Sequence, residues 1–260
     1  MSTIADKLLS ASGGVSVETT TTMFASGANS RYLNCVTGTA NGKELSIVVA
    51  YALNSTTGGA VLSSRTSTSN TWAGFEFTPG AGASESMVLN MKNTSGSTQV
   101  FGRNNSGHPS WSNWHILLLS VDLTSTSSRQ IWLARDGTET DYSSTVTWYT
   151  YNNANVAIGP QWSLGTTDPS ASASYLNGFA GYVYAIGEYI DFSSSANREK
   201  FVDATTSVPV DLGGDGSSVT GSTPLIYSPD IASLKNYGSG GDWTNNNSTE
   251  TSTNTIMNDI

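Results

Sequence analysis

The clearest pattern of hydrophobic positions lies in the middle of the chain. Residues 114–123 and 129–134 form two apolar runs, which the polar stretch 124–128 joins and Asp136-Gly137 closes. Apolar runs of this length, bounded by turn residues, are typical of strands. The pattern therefore predicts a β-hairpin.

The first of these runs is apolar on both faces. Because successive side chains of a strand point to opposite sides, Ile116 and Leu118 share one face. Leu117, Leu119 and Val121 share the other. A strand of this kind belongs in the middle of a sheet or between two layers.

Other short segments show the same kind of pattern, with Gly, Pro, Asn or Ser between them. They are residues 15–24, 31–36, 44–53, 60–65, 72–78, 87–91, 99–102, 146–151, 155–159 and 179–186. Helix is favoured at residues 4–10 and 193–206, where Ser193 or Ser194 is a suitable N-cap. Many short strands with little helix predict an all-β fold, with two packed antiparallel sheets connected as a Greek key or jelly roll.

The chain divides into three parts by composition. Residues 1–14 form an N-terminal arm, residues 15–205 form the sandwich, and residues 206–260 form a C-terminal extension rich in Gly, Pro, Ser and Thr. We expect the extension to be irregular, and to drape over the sandwich or reach a neighbour. Its last part, from residue 245, is expected to be disordered unless a partner orders it.

Charge narrows the range of partners. The formal net charge is −9, with 11 Lys plus Arg and no basic cluster. We therefore expect no binding to nucleic acid or to an anionic membrane. No apolar run approaches the roughly 18 residues needed to span a bilayer.

The surface composition suggests a biological setting. Charged residues make up only 12% of the chain, so hydroxyls and amides cover much of the solvated surface. The N-terminus shows no secretory signal, and the single cysteine, Cys35, excludes an internal disulfide framework and is expected to be buried. Synthesis in a reducing cytoplasm, with a surface suited to an exterior environment, is what we expect of a virion component.

Several segments occur in an order found in one group of folds. They are residues 44–53 (ELSIVVAYAL), Trp114 and His115 with Asp122 in the same run, residues 131–137 (IWLARDG), 157–159 (AIG) and 179–183 (FAGYV). In this order they resemble the concanavalin-like, laminin-G-type jelly roll, over residues 15–201. The resemblance implies an antiparallel two-sheet sandwich.

The end of the chain carries a second resemblance. Residues 198–203 (REKFVD), 209–227 and 236–244 (NYGSGGDWT) are similar to an extension that follows laminin-G-like domains in tailed-bacteriophage proteins. This implies a non-enzymatic virion protein that decorates the capsid or tail surface and contacts capsid or tail proteins, with glycan adhesion as an added property. A receptor-binding tail or fibre tip that recognises host polysaccharide is one alternative, and a polysaccharide-degrading enzyme is another. A homotrimer is expected by analogy with other phage appendages.

The sequence offers no catalytic constellation. Glycosidases need two positioned carboxylates, and the nearest pair, Glu188 and Asp191, has a spacing that places them on opposite faces of a strand. No G-x-S-x-G motif occurs. His115 lies inside an apolar run and is expected to be structural. We therefore assign no catalytic residue.

Metal sites receive little support. The laminin-G resemblance implies a calcium site at a rim of the sandwich, and Asp122, Asp136 and Asp168 are the weak candidates. Zinc lacks ligands altogether. We expect no cofactor, apart from this calcium hypothesis.

Glycan binding needs exposed aromatic rings beside amides and other polar groups. Three loop groups meet this description: Trp111 with His108 and Asn113, Trp162 with Gln161, and Tyr175 with Asn177. We predict that host-surface glycans, if bound, contact one of these groups.

Overall fold

The computed structural model describes residues 21–24, 32–38, 40–53, 59–65, 74–79, 87–104, 114–135, 137–166, 176, 178–246 and 249–251. The N-terminal arm, with the helix predicted at residues 4–10, lies outside these residues. The strands are β1 (Thr21–Phe24), β2 (Tyr32–Val36), β3 (Ala40–Gly42), β4 (Glu44–Leu53), β5 (Leu62–Arg65), β6 (Gly74–Pro79), β7 (Met87–Lys92), β8 (Thr98–Asn104), β9 (Trp114–Asp122), β10 (Arg129–Arg135), β11 (Thr138–Asp141), β12 (Thr147–Tyr151), β13 (Val156–Ile158), β14 (Gln161–Leu164), β15 (Gly178–Ile186), β16 (Ile226–Ser228), β17 (Trp243–Asn246) and β18 (Thr249–Thr251). A short helix, α1 (Ser195–Arg198), and a 3-10 helix at Ile231–Ser233 complete the described elements. No helix among these residues has the length and apolarity needed to cross a membrane.

Two antiparallel sheets form the sandwich. The first sheet has the order β11-β10-β9-β4-β15-β1-β18, and β16 pairs with the part of β15 that β1 leaves free. The second sheet has the order β12-β8-β7-β6-β5-β14-β2-β17, and β3 and β13 form a separate pair. The predicted all-β, two-sheet architecture is confirmed.

The main core lies between the two sheets. Along β4, Ile47, Val49 and Tyr51 face this core, while Val48 and Ala50 belong to a second buried cluster on the other face of the sheet. Strand β9, paired with β4 and β10, divides in the same way between the two clusters. The predicted hairpin is therefore confirmed, and its first strand is buried on both faces as expected.

The segment after β15 covers the outer face of the first sheet. Phe192 and Phe201 are fully buried there, and the ring centroid of Phe201 lies 4.9 Å from that of Tyr184 on β15. Tyr227 of β16, directly after this segment, packs edge-on against Tyr182, and their ring centroids lie 6.1 Å apart. Residues 187–225 thus make a second, smaller hydrophobic layer.

Arg198 fixes this covering segment to the sheet. Its Nε donates to Glu139 of β11 at 2.6 Å, and its guanidinium lies 3.8 Å from the ring centroid of Trp132. Its Nη1 also donates to the carbonyl of Phe192 at 2.7 Å. The helix predicted over residues 193–206 is too long, because the chain turns after α1 to bury Phe201 in the second layer.

The C-terminal extension contributes strands to both sheets. β16 pairs with β15, β17 with β2, and β18 with β1. Trp243 is 4% exposed, packs in the main core and donates through Nε1 to Ser228 Oγ at 2.8 Å. Beside it, Cys35 is buried as predicted, and burial raises the pKa of its thiol to about 12. The extension therefore packs on the sandwich, and it supplies strands that the sequence did not predict.

We predict that Trp243→Ala lowers the free energy of unfolding by about 3–5 kcal/mol, because it removes a buried indole from the main core. Thr244→Ala, on the same strand but exposed, should change it by less than about 0.5 kcal/mol. Urea unfolding monitored by circular dichroism measures both. Equal stability of Trp243→Ala and the unaltered protein would contradict the role assigned to β17.

Candidate functional site

A row of residues crosses the outer face of the second sheet. The eight strands are in lateral register, and each contributes one residue that faces away from the core. From β12 to β17 these residues are Thr150, Phe101, Asn90, Glu76, Ser63, Ser163, Asn34 and Thr244. At about 4.8 Å between neighbouring strands, the row is about 34 Å long. We call it the cross-strand row.

Strict alternation along the strands creates this face. In β7, Met87, Leu89 and Met91 are buried in the main core, so Val88 and Asn90 point outward. The same alternation in the neighbouring strands leaves amide, hydroxyl and carboxylate groups on the outer side. The sequence therefore builds a hydrophobic inner face and a polar outer face on one sheet.

One half of the row is already held by hydrogen bonds. Ser163 Oγ donates to Asn34 Oδ1 at 2.8 Å, and Ser63 Oγ donates to the carbonyl of Thr166 at 2.8 Å. Near the middle, Thr78 Oγ1 donates to Glu76 Oε1 at 3.1 Å. Ser63 and Ser163 are only 1% and 2% exposed, so they serve the fold, and the row is open to a ligand only at its two ends.

The other half carries an aromatic platform. A register shift between Trp148 and Thr150 inserts Tyr149 as an extra residue in the edge strand β12. Trp148 packs against the main core, whereas Tyr149 is 58% exposed. The Tyr149 and Phe101 ring centroids lie 5.5 Å apart. The bulge thus presents an exposed aromatic ring beside the row.

Two polar groups near this platform lack partners. Asn90 Oδ1 and Arg103 Nε are buried, and neither makes a hydrogen bond within the described part of the chain. Arg103 follows Phe101 by two residues on β8 and so shares the outer face with it. Buried polar atoms are usually hydrogen-bonded, and the Arg103 side chain, which is only partly buried, therefore has capacity for a ligand.

The loop residues predicted to bind glycans have different outcomes. Gln161 does lie on this outer face, in register with Val36 of β2. Trp162 is fully buried, and its ring centroid lies 6.2 Å from that of Phe75. Its prediction as a loop residue is wrong, because residues 161–164 form a strand between β5 and β2. His108, Trp111, Asn113, Tyr175 and Asn177 lie outside the described residues.

No candidate metal site assembles in the described part of the chain. Those residues include no cluster of three or more His, Cys, Asp or Glu side chains. The Asp122 carboxylate accepts from the backbone N of Thr124 at 2.8 Å, so it is engaged in the turn after β9. Asp136 and Asp168 lie outside the described residues.

The carboxylate pair considered for catalysis also serves the fold. Hydrogen bonds from Ser193 and Gln130 hold the pKa of Asp191 below its ordinary value. Glu188 and Asp191 lie in the irregular segment after β15, not on a strand. His115 is buried on β9, with its ring centroid 5.7 Å from that of Tyr51, in agreement with the predicted structural role.

The chain is similar in fold to solved β-sandwich proteins. A pentraxin of Limulus polyphemus aligns with a TM-score of 0.57 at 8% identity, over 92% of this chain and 97% of the pentraxin. A candidate carbohydrate-binding protein of Bacteroides ovatus ATCC 8483 aligns with a TM-score of 0.54 at 9% identity, over 91% of this chain and 60% of that one. The tailspike protein 2 of bacteriophage CBA120 aligns with a TM-score of only 0.44 at 9% identity, over 76% of this chain and 28% of the tailspike domain. No protein-family model matches the sequence, and no curated protein does. The first two similarities show the two-sheet β-sandwich fold and nothing finer.

We predict that Arg103→Gln and Asn90→Ala each change the free energy of unfolding by less than about 0.5 kcal/mol, because neither removes a hydrogen bond or ion pair made by these side chains in the described structure. Arg198→Gln, which removes a buried guanidinium paired with Glu139, should cost about 3 kcal/mol. Thermal and urea unfolding of the three variants measure this difference. A loss at Arg103 as large as that at Arg198 would show that Arg103 is a structural residue.

Proposed function

We propose that this protein binds glycans through the cross-strand row and the aromatic platform of Tyr149 and Phe101. The observation that carries the proposal is the row itself. A sugar presents hydroxyl groups at its edge and an apolar face of C–H groups, so its binding site needs fixed donors and acceptors beside an aromatic ring. The row supplies the first, and Tyr149 supplies the second.

The accessible part of the face favours a short glycan segment. From Thr150 on β12 to Glu76 on β6, the row spans about 14 Å by the spacing of strands. Beyond Glu76, Ser63 and Ser163 are only 1% and 2% exposed. A short oligosaccharide segment beside Tyr149 matches this geometry.

The charge on the face favours binding over hydrolysis. Glu76 is the one carboxylate in the eight strands of the second sheet. Hydrolysis of a glycosidic bond by the usual mechanisms needs two carboxylates facing the same bond. We therefore propose a non-enzymatic glycan-binding protein.

The proposed setting is a bacteriophage virion, on the capsid or tail surface. Its support is the sequence resemblance of residues 198–244 to extensions of tailed-phage proteins. Glycan binding on one sheet face leaves the opposite side of the molecule available for contact with virion proteins. A receptor-binding tail or fibre tip that recognises host polysaccharide is the alternative setting, since the same face would serve it.

We predict that Tyr149→Ala weakens binding to a polysaccharide by about 3- to 10-fold, because a stacked aromatic ring contributes about 0.5–1.5 kcal/mol. The control is Tyr237→Ala, which removes another exposed tyrosine (49% exposed) away from the row. Affinity electrophoresis against a polysaccharide panel measures both variants. If Tyr149→Ala binds as well as the unaltered protein, or if both variants lose affinity equally, the proposed surface is wrong.

The proposed setting predicts that purified virions contain the protein. Quantitative mass spectrometry should find a copy number comparable to that of the major capsid protein for a capsid decoration. A few copies per particle would instead favour the tail-tip alternative. Absence from virions would refute both settings.

A further inference from the structure

We propose that the glycan carries carboxylates and that Arg103 binds one of them. This inference rests on the proposed glycan binding and specifies its ligand class. Arg103 differs in its surroundings from Arg129 and Arg198.

Arg103 is partly buried without a partner. Its Nε is buried, and the guanidinium makes no hydrogen bond, ion pair or ring contact in the described structure. By contrast, Arg198 pairs with Glu139 and lies over Trp132. Arg129 lies over the rings of Trp148 and Tyr151 at 5.2 and 4.9 Å.

A guanidinium that loses part of its hydration without a partner is unfavourable. An anionic ligand would remove this penalty. The planar fork of arginine matches a carboxylate, to which it can donate two parallel hydrogen bonds. The geometry of Arg103 therefore suits a carboxylate more closely than a neutral hydroxyl group.

The local charge supports the same ligand class. Among the described side chains on this outer face, Lys92 and Arg103 are cationic and Glu76 is anionic. Glu76 lies two strands away from Arg103 and already accepts from Thr78. The described side chains of this face therefore carry one more positive than negative charge, although the whole chain has a formal charge of −9. An acidic glycan would be attracted by the positive charge around Arg103 and not by the net charge of the chain.

The neighbours of Arg103 offer contacts for the sugar ring that bears the carboxylate. Phe101 precedes Arg103 by two residues, a distance of about 6.8 Å along the strand. Asn90 lies directly opposite Phe101 on β7. A sugar ring stacked on Tyr149 would thus lie beside Arg103 and could reach it with one substituent.

The test compares acidic polysaccharides with their neutral counterparts. Polygalacturonate, alginate and hyaluronate are each used as such and after chemical reduction of their carboxyl groups to primary alcohols, together with one sulfated galactan. We expect the unaltered protein to bind at least one acidic polymer about 10- to 100-fold more tightly than its reduced form, which is the range of a hydrogen bond to a charged group.

Three variants assign this preference to Arg103. Arg103→Gln should abolish the difference between the acidic and reduced polymers by weakening the binding of the acidic polymer. Arg103→Lys should retain part of the preference, because it keeps the charge but loses the fork. Lys200→Gln, which removes the same charge from an exposed position after α1, should retain all of it.

The outcomes separate this inference from the proposed function. Equal binding of acidic and reduced polymers refutes carboxylate recognition and leaves glycan binding intact. A preference for the sulfated galactan over every carboxylated polymer, or an equal loss of both forms in Arg103→Gln, also refutes the inference. Binding to none of the polymers, acidic, reduced or sulfated, refutes glycan binding itself.

Discussion

The structure depends on strands that are apolar on both faces. β4, β9 and β15 lie side by side in the first sheet, and each contributes buried side chains to two separate hydrophobic clusters. Such strands need a cover on each side, because an exposed apolar face of this size would be strongly unfavourable in water. The second sheet provides one cover. Residues 187–225 provide the other, with Arg198 as the polar link between segment and sheet.

This constraint also determines where a ligand can bind. Both faces of the first sheet are occupied by the fold itself, and the inner face of the second sheet is core. The outer face of the second sheet is accessible near β12, and there alternation along the strands places polar groups and an exposed tyrosine. β18 is an edge strand of the first sheet, and β17 is an edge strand of the second sheet. The C-terminal extension is thus part of both sheets of the sandwich.

The sequence predicted the strands with strong patterns and missed those without one. β4 begins and ends where the apolar run 44–53 predicts. β17 has the sequence WTNN, whose single apolar residue gives no period. Trp162 was wrongly predicted to lie in a loop, because its strand, β14, is only four residues long and follows a proline. The cross-strand row was not predictable, because it depends on the lateral register of segments far apart in the chain, and one sequence does not specify that register.

We propose that the ligand binds on the outer face of the second sheet. Backbone amide chemical shifts of the isotopically labelled protein, titrated with an oligosaccharide of the acidic polymer that binds most tightly, test it directly. We expect the largest changes in chemical shift in β7, β8 and β12, around Asn90, Phe101 and Tyr149. Changes concentrated instead in residues 187–225, on the opposite side of the sandwich, would contradict it.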